Sequence, residues 1–90
     1  MSLVARTVAI TNRRGLHARA SAKFVTVACG VGMTVEVEKD GSKVVATSIL
    51  GLMMLGAAMG DSIIISASGD GADAAVQTLV DLVEAKFGEE

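Results

Sequence analysis

The alternation of hydrophobic and polar residues predicts four β-strands. Residues 3–10 (LVARTVAI) are rich in β-branched residues and alternate imperfectly, which favours a first strand. Residues 33–38 (MTVEVE) alternate fully, as in a half-buried strand. Asp40-Gly41 is typical of a type I′ turn, so residues 43–46 are expected to return as the second arm of a hairpin. Residues 63–68 (IIISAS) alternate again and predict a fourth strand.

Helical spacing of apolar residues predicts a first helix between the first two strands. It begins at Ala18 among strong helix formers and ends near Cys29, because the glycine that follows is a natural terminator. The expected buried stripe comprises Ala18, Ala22, Val25 and Cys29. On this stripe Cys29 is interpreted as a small buried hydrophobic residue.

Two further helices are predicted. One is short, from about Ile49 to Leu55, and is apolar on almost every side; Thr47 or Ser48 can cap it. The last helix follows residues 70–73 (DGAD), whose acidic groups complement a helix N-terminus. Its expected buried stripe is Ala72, Val76, Leu79, Val80, Val83 and Phe87. Glu89 and Glu90 are expected to be a frayed tail.

The predicted order is strand, helix, strand, strand, helix, strand, helix. A four-stranded antiparallel sheet with three helices on one face makes an α/β (α+β) open-faced sandwich. A ferredoxin-like sheet with an added helix is an alternative that the pattern leaves open. A chain of 90 residues has room for one domain only, so residues 1–90 are interpreted as a single domain.

Composition narrows the classes of function. A hydrophobic fraction of 51% without proline favours a compact core rather than disorder. The net charge of −2 and the presence of only two aromatic residues argue against binding of nucleic acid. Because no signal peptide and no apolar run of membrane-spanning length are visible, we expect a cytoplasmic protein without membrane insertion.

The only histidine, His17, lies where the first helix is expected to begin. Ser, Thr, Asp or Asn would cap a helix better, so histidine at this place hints at chemistry. The unpaired N–H groups of a helix N-terminus disfavour a protonated imidazole, which leaves the ring neutral and nucleophilic. If His17 attacked a phosphoryl group, the N–H groups of Ala18 and Arg19 could bind its oxygens. The guanidinium of Arg19 could pair with them as well.

Ordinary explanations remain open for the same residues. A single histidine at a helix start can be a surface or capping residue, and the basic residues around it can be a solvated face. No catalytic dyad is visible in the sequence. His17 and Cys29 alone make a poor set of ligands, so no metal site is predicted.

Two segments resemble a known family. Residues 15–20 (GLHARA) are similar to the active-site motif of HPr, the histidine-containing phosphocarrier of the bacterial phosphotransferase system. Residues 47–56 (TSILGLMMLG) resemble the serine-bearing second helix of that family, and the resemblance covers nearly the whole chain. Residues 10–12 (ITN) look like the nitrogen-related branch. Ala20 stands where the family usually has proline, a change expected to loosen the helix start slightly.

The resemblance implies the HPr fold and a phosphocarrier mechanism. His17 would accept a phosphoryl group on Nδ1 from enzyme I and pass it to a IIA-type protein. Arg19 and the N–H groups of the helix start would stabilise the group, and no cofactor is expected. The output would be sugar uptake or nitrogen and carbon regulation. Transient docking with successive partners suits a monomer.

The resemblance also implies a docking surface for these partners. It comprises Leu16, Ala20, Ile49, Leu50, Gly51, Leu52, Met53 and Met54. The second helix has more apolar residues than one buried stripe needs, so some should be exposed to partners, and Gly51 would let a partner backbone approach closely. Ser48 matches the serine that an HPr serine kinase/phosphatase modifies in some bacteria, where the added charge would hinder docking. The alternative function is a non-catalytic regulatory module that binds through the Ser48 helix.

Overall fold

The computed structural model describes residues 3–89. Within them lie four strands, three α-helices and a short 3₁₀ turn. Their bounds are β1 Leu3–Ala9, α1 Ala18–Gly30, β2 Glu36–Lys39, β3 Ser42–Val45, α2 Ile49–Met54, β4 Ser62–Ser68, α3 Ala72–Glu84 and the turn Lys86–Gly88. The predicted order of strands and helices is confirmed.

The strands form one antiparallel sheet in the order β1-β4-β2-β3. β1 lies at an edge, where Val8 pairs with Ile63 of β4. This order excludes the ferredoxin-like alternative, in which the first and third strands form the centre of the sheet. Asp40 and Gly41 close the hairpin between β2 and β3 with φ values of 51° and 85°, and a type I′ turn requires positive φ at both residues.

One face of the sheet is buried against the helices and the other face is open. Side chains on the covered face include Val8, Val37, Ile63 and Ile65, and those of the helices include Phe24, Leu52, Val76 and Leu79; all are buried. The alternate positions of β1 are exposed, as the period of two in a strand requires. The predicted open-faced sandwich is therefore confirmed. None of the helices in residues 3–89 is long and apolar enough to cross a membrane.

The buried face of α1 differs from the predicted one. The structure buries Ala20, Ser21, Phe24 and Ala28, leaves Ala18 and Cys29 exposed, and half-buries Ala22 and Val25. Alanines lie on both sides of this helix, so their spacing alone did not identify the core side. Phe24 decides the orientation, because its large apolar ring gains most from burial. The prediction that Cys29 is a core residue was wrong.

The chain turns back after α3 instead of fraying. Phe87 is buried as predicted, but it reaches the core through the turn Lys86–Gly88, in which all three residues have positive φ. Lys23 of α1 donates a hydrogen bond of 2.9 Å to the carbonyl oxygen of Phe87. These contacts bring Glu89 to the start of α1. The prediction of a frayed tail was wrong for Glu89, and Glu90 lies outside the described residues.

Candidate functional site

The loop between β1 and α1 is fixed by the loop that follows α2. The N–H group of Leu16 donates to the carbonyl oxygen of Ala57 at 2.9 Å. Gly15 has a φ of +63°, and a β-carbon here would lie 2.3 Å from that same oxygen. Only glycine fits both the conformation and the close approach. Two separate loops therefore determine together where the chain enters α1.

His17 is the N-cap residue of α1. Its backbone is extended, and its carbonyl oxygen accepts a hydrogen bond from the N–H group of Ser21 at 2.9 Å. Its ring atom Nδ1 accepts a hydrogen bond from the N–H group of Arg19 at 3.3 Å. The imidazole thus takes the place that a Ser or Asp side chain occupies in most N-caps, with Nδ1 directed at the first turn of the helix.

The second ring nitrogen of His17 contacts the C-terminal segment. Nε2 lies 2.7 Å from Oε2 of Glu89. The other carboxylate oxygen of Glu89 accepts a hydrogen bond of 3.1 Å from Nδ2 of Asn12, a fully buried residue that also donates to the carbonyl oxygen of Gly15 at 2.9 Å. The hydrogen bonds from Asn12 and His17 hold the pKa of the Glu89 carboxyl group below its ordinary value.

A positive charge and an unpaired N–H group lie beside the start of α1, on the Nδ1 side of the ring. The guanidinium of Arg19 has no hydrogen-bond or ion-pair partner among residues 3–89, and neither has the N–H group of Ala18. The charge of Arg19 also contributes to lowering the pKa of Glu89, which puts it within electrostatic range of the site. Arg13 and Arg14 are exposed in the preceding loop. This arrangement suits an anion that approaches Nδ1.

α2 presents an apolar surface to solvent. Ser48 is its exposed N-cap residue, and Oγ accepts a hydrogen bond from the N–H group of Gly51 at 2.9 Å. The exposed side chains that we call the α2 surface are Ile49, Leu50, Met53 and Met54. Leu50 is 72% exposed and Met54 82%, which is unusual for apolar residues of this size. Met59, in the loop after α2, is exposed as well and was not predicted.

Four residues that were assigned to the docking surface have other positions. Leu16, Ala20 and Leu52 are buried in the core, so they are not accessible to a partner. A helix of six residues packed against α1 and β3 needs a central anchor, which Leu52 provides. A β-carbon on Gly51 would lie 3.1 Å from Cβ of Val44 on β3, so this glycine permits close packing inside the molecule rather than approach of a partner.

Two residues of the site carried no recognisable signal in the sequence. Glu89 is separated from His17 by 72 positions, and nothing in a short acidic tail indicates that it folds back. Asn12 was noted only as part of a similar segment, although a buried asparagine beside a tight turn often holds the backbone of that turn. Among residues 3–89, no three His, Cys, Asp or Glu side chains lie close enough together to hold a metal ion.

Comparisons with known proteins agree with this geometry. The family model described as "PTS HPr component phosphorylation site" matches residues 4–85. Phosphocarrier protein NPr of Shewanella violacea is 39% identical, with 99% of this chain and 98% of that protein covered. Phosphocarrier protein HPr of Neisseria meningitidis serogroup A is 44% identical, with 97% and 98% covered. The crystal structure of HPr-C-His from Thermoanaerobacter tengcongensis has a TM-score of 0.88 and 48% identity and covers 100% of this chain and 99% of that chain. The chain therefore belongs to the HPr family of phosphocarrier proteins of the phosphotransferase system.

Proposed function

We propose that this protein carries a phosphoryl group on Nδ1 of His17. It takes the group from a phosphohistidine of enzyme I and passes it to a IIA-type protein. The observation that carries the proposal is the position of His17 as N-cap of α1, with Nδ1 beside the N–H group of Arg19. Membership of the HPr family supports the class of reaction.

The groups around Nδ1 supply what a carried phosphoryl group needs. Its oxygens can accept hydrogen bonds from the N–H groups of Ala18 and Arg19 at the positive end of α1. The guanidinium of Arg19 adds a full positive charge that can reach the same oxygens. Transfer of a phosphoryl group depends mainly on positioning and on stabilisation of charge, and this end of the helix provides both.

Docking of both partners is assigned to the α2 surface. Its exposed leucine and methionine side chains suit a surface that must fit more than one partner, because methionine adapts to different shapes. The hydrogen bond between Leu16 and Ala57 ties the loop that leaves α2 to the loop that precedes His17. A partner seated on the α2 surface is thereby aligned with the ring. Each docking is transient, which a monomer serves well.

Phosphorylation of Ser48 by an HPr serine kinase/phosphatase is the regulatory part of the proposal. Ser48 is exposed and lies at the start of α2, so a phosphate there would put a charge of about −1.5 to −2 beside apolar docking residues. We expect Ser48→Asp to weaken binding to enzyme I in a titration, whereas Ser48→Thr, which keeps the capping hydroxyl, binds normally. Equal affinity of the two variants would contradict this regulation.

The carrier function can be tested by phosphorylation in solution. The protein is incubated with enzyme I, phosphoenolpyruvate and Mg²⁺, and its intact mass is followed before and after mild acid. We expect one phosphate that acid removes and that His17→Ala, folded by circular dichroism, does not acquire. No phosphate on the wild type with an active enzyme I would reject the proposal in favour of the non-catalytic binding module. A phosphate that persists in His17→Ala would overturn the assignment of His17 as the acceptor. IIA acceptors of the sugar and nitrogen branches, offered in competition, then identify the output.

A further inference from the structure

We propose that Glu89 is a positioning residue for phosphoryl transfer, which fixes the ring of His17 through Nε2 so that Nδ1 is the reacting atom. This role rests on the proposed carrier function. The observation is the contact of 2.7 Å between Nε2 and Oε2 of Glu89, on the side of the ring opposite the helix N-terminus.

The two hydrogen bonds of the ring specify a single tautomer. An ionised carboxylate has no hydrogen to donate, so the short contact requires the hydrogen of the neutral ring to be on Nε2. Nδ1 then carries only a lone pair, and the N–H group of Arg19 points at it from 3.3 Å. Both contacts therefore leave the lone pair of Nδ1 as the nucleophile and exclude Nε2 from that role.

This tautomer lets the phosphoryl group move without a proton transfer. The lone pair of Nδ1 forms a bond to phosphorus while the P–N bond of the donor phosphohistidine breaks and its electron pair returns to the donor nitrogen. The ring of His17 then bears phosphorus on Nδ1 and hydrogen on Nε2, which makes it a cation. Glu89 stabilises this cation through a charge-assisted hydrogen bond. When the next acceptor attacks phosphorus, the electron pair returns to Nδ1 and the ring becomes neutral again.

The C-terminal segment is built to hold Glu89 in this place. The turn before it has φ values of 57° at Lys86 and 56° at Phe87, a conformation that costs energy in residues other than glycine. Burial of Phe87 and the hydrogen bond from Lys23 to its carbonyl oxygen stabilise the turn. Asn12 is held in the loop between β1 and α1 by its hydrogen bond to the carbonyl oxygen of Gly15, and it orients the carboxylate by donating to Oε1 of Glu89.

The groups that face Glu89 keep it ionised. The hydrogen bonds from Asn12 and His17 are the main cause of its lowered pKa; burial acts against them, and the charges of Arg19 and of a protonated His17 make smaller contributions that lower the pKa further. Lys23, bonded to the carbonyl of Phe87, is the other cation on the contacting face of α1. The carboxylate is thus available as an acceptor throughout the neutral pH range.

The contact can be tested on the unphosphorylated protein by NMR of the His17 ring. In the wild type near pH 8 we expect nitrogen-15 shifts of the Nε2–H tautomer and a downfield Nε2–H proton that exchanges slowly with water. In Glu89→Ala the Nε2–H proton should exchange rapidly with water, so that its signal disappears. Glu84→Ala is the matched control, because Glu84 is an exposed acid at the end of α3 that forms no hydrogen bond or ion pair with His17. This measurement does not depend on whether the protein carries phosphate.

The role in transfer is tested in both half-reactions. Glu89→Gln keeps an oxygen acceptor but removes the charge, so we expect uptake of the phosphoryl group from enzyme I, the step in which the ring becomes a cation, to slow about tenfold. In transfer from the phosphorylated protein to a IIA-type acceptor, the alkaline limb of the pH–rate profile should move to lower pH, because the proton on Nε2 is held less firmly. Glu84→Gln should match the wild type in both rate and profile.

Each outcome decides a different part of the inference. An unchanged Nε2–H signal in Glu89→Ala would overturn the contact, and a normal pH–rate profile in Glu89→Gln would overturn the positioning role even if the contact exists. Failure of the wild type to accept phosphate at all would reject the proposed function and with it the role in transfer. The NMR measurement would still judge the ring contact by itself.

Discussion

The His17 end of α1 and the α2 surface are built in opposite ways. Both ring nitrogens of His17 have polar partners. The loop that precedes His17 is hydrogen-bonded to the loop after α2, and it contains Gly15, which no other residue can replace. The α2 surface instead consists of apolar side chains open to solvent on a helix of six residues.

The difference follows from what each region is proposed to do. Transfer needs one atom at a fixed distance and angle, which is achieved by hydrogen bonds that leave the ring little freedom. Recognition of several partners needs apolar area that can adapt, and flexible side chains such as Met53 and Met54 provide it. The rigid site and the adaptable surface thus lie on separate helices, α1 and α2, whose adjoining loops are joined by the hydrogen bond between Leu16 and Ala57.

Reversal of the charge beside His17 is expected to have the largest effect. Arg19→Glu should slow phosphoryl transfer about a hundredfold or more, because it replaces a stabilising charge with one that repels the phosphate. Initial rates of phosphate uptake from enzyme I provide the measurement. Arg6→Glu is the matched control, since it makes the same charge change on β1, where Arg6 is bonded to Gln77 of α3. Equal rates for the two variants would remove Arg19 from the mechanism.

Two leucines of α2 separate core from docking surface. Leu52 is 0% exposed and Leu50 is 72% exposed, although only one residue lies between them. Leu52→Ala should lower the free energy of unfolding by about 2–5 kcal/mol, whereas Leu50→Ala should change it by less than about 0.5 kcal/mol. Denaturant titration measures both values.

The same two leucines should also differ in their contribution to the affinity for partners. Leu50→Ala is expected to weaken the affinity for enzyme I by about 1 kcal/mol or more without loss of fold, measured by calorimetric titration. Normal binding by Leu50→Ala, or by Met53→Glu on the same surface, would mean that partners dock elsewhere. A partly unfolded Met53→Glu would place Met53 in the core instead.

Acid is expected to give the smallest effect. Because its partners hold the pKa of Glu89 below the ordinary value, its ionised form stabilises the fold above the ordinary carboxyl pKa of about 4.3, and this contribution disappears as the pH falls through the lowered value. Glu89→Gln should therefore be slightly less stable than the wild type at pH 7, and the difference should shrink as the pH falls below about 4. Thermal melts across this range check the trend, with Glu84→Gln as control; a difference that stays constant with pH would contradict it.

The sequence predicts the fold well where one local signal dominates. The Asp40-Gly41 turn and the alternation of β4 each point to a single conformation, and the structure agrees. Of the two residues predicted to cap α2, Thr47 or Ser48, the structure selects Ser48. The face of α1 was mispredicted because alanines lie at the right spacing on two sides. The central position of Leu52 was missed for a similar reason, since every residue of α2 looks equally apolar.

The residues of the site also differ in whether the local sequence predicts their positions. His17 at the helix start follows from local sequence, because Gly15 and the helix formers after His17 determine the cap. Glu89 could not be predicted, because its position depends on a turn of three residues in an uncommon backbone conformation and on the burial of Phe87, which are tertiary effects. A contact across 72 positions is visible only once the chain is folded.

The most direct test of the central claim is NMR of the phosphorylated protein labelled with nitrogen-15. We expect the phosphorus signal to show coupling to Nδ1 of His17, with a hydrogen still bonded to Nε2. Coupling to Nε2, or a phosphate on any residue other than His17, would contradict the assignment of Nδ1 as the acceptor and the arrangement of Arg19 and Glu89 on which it rests.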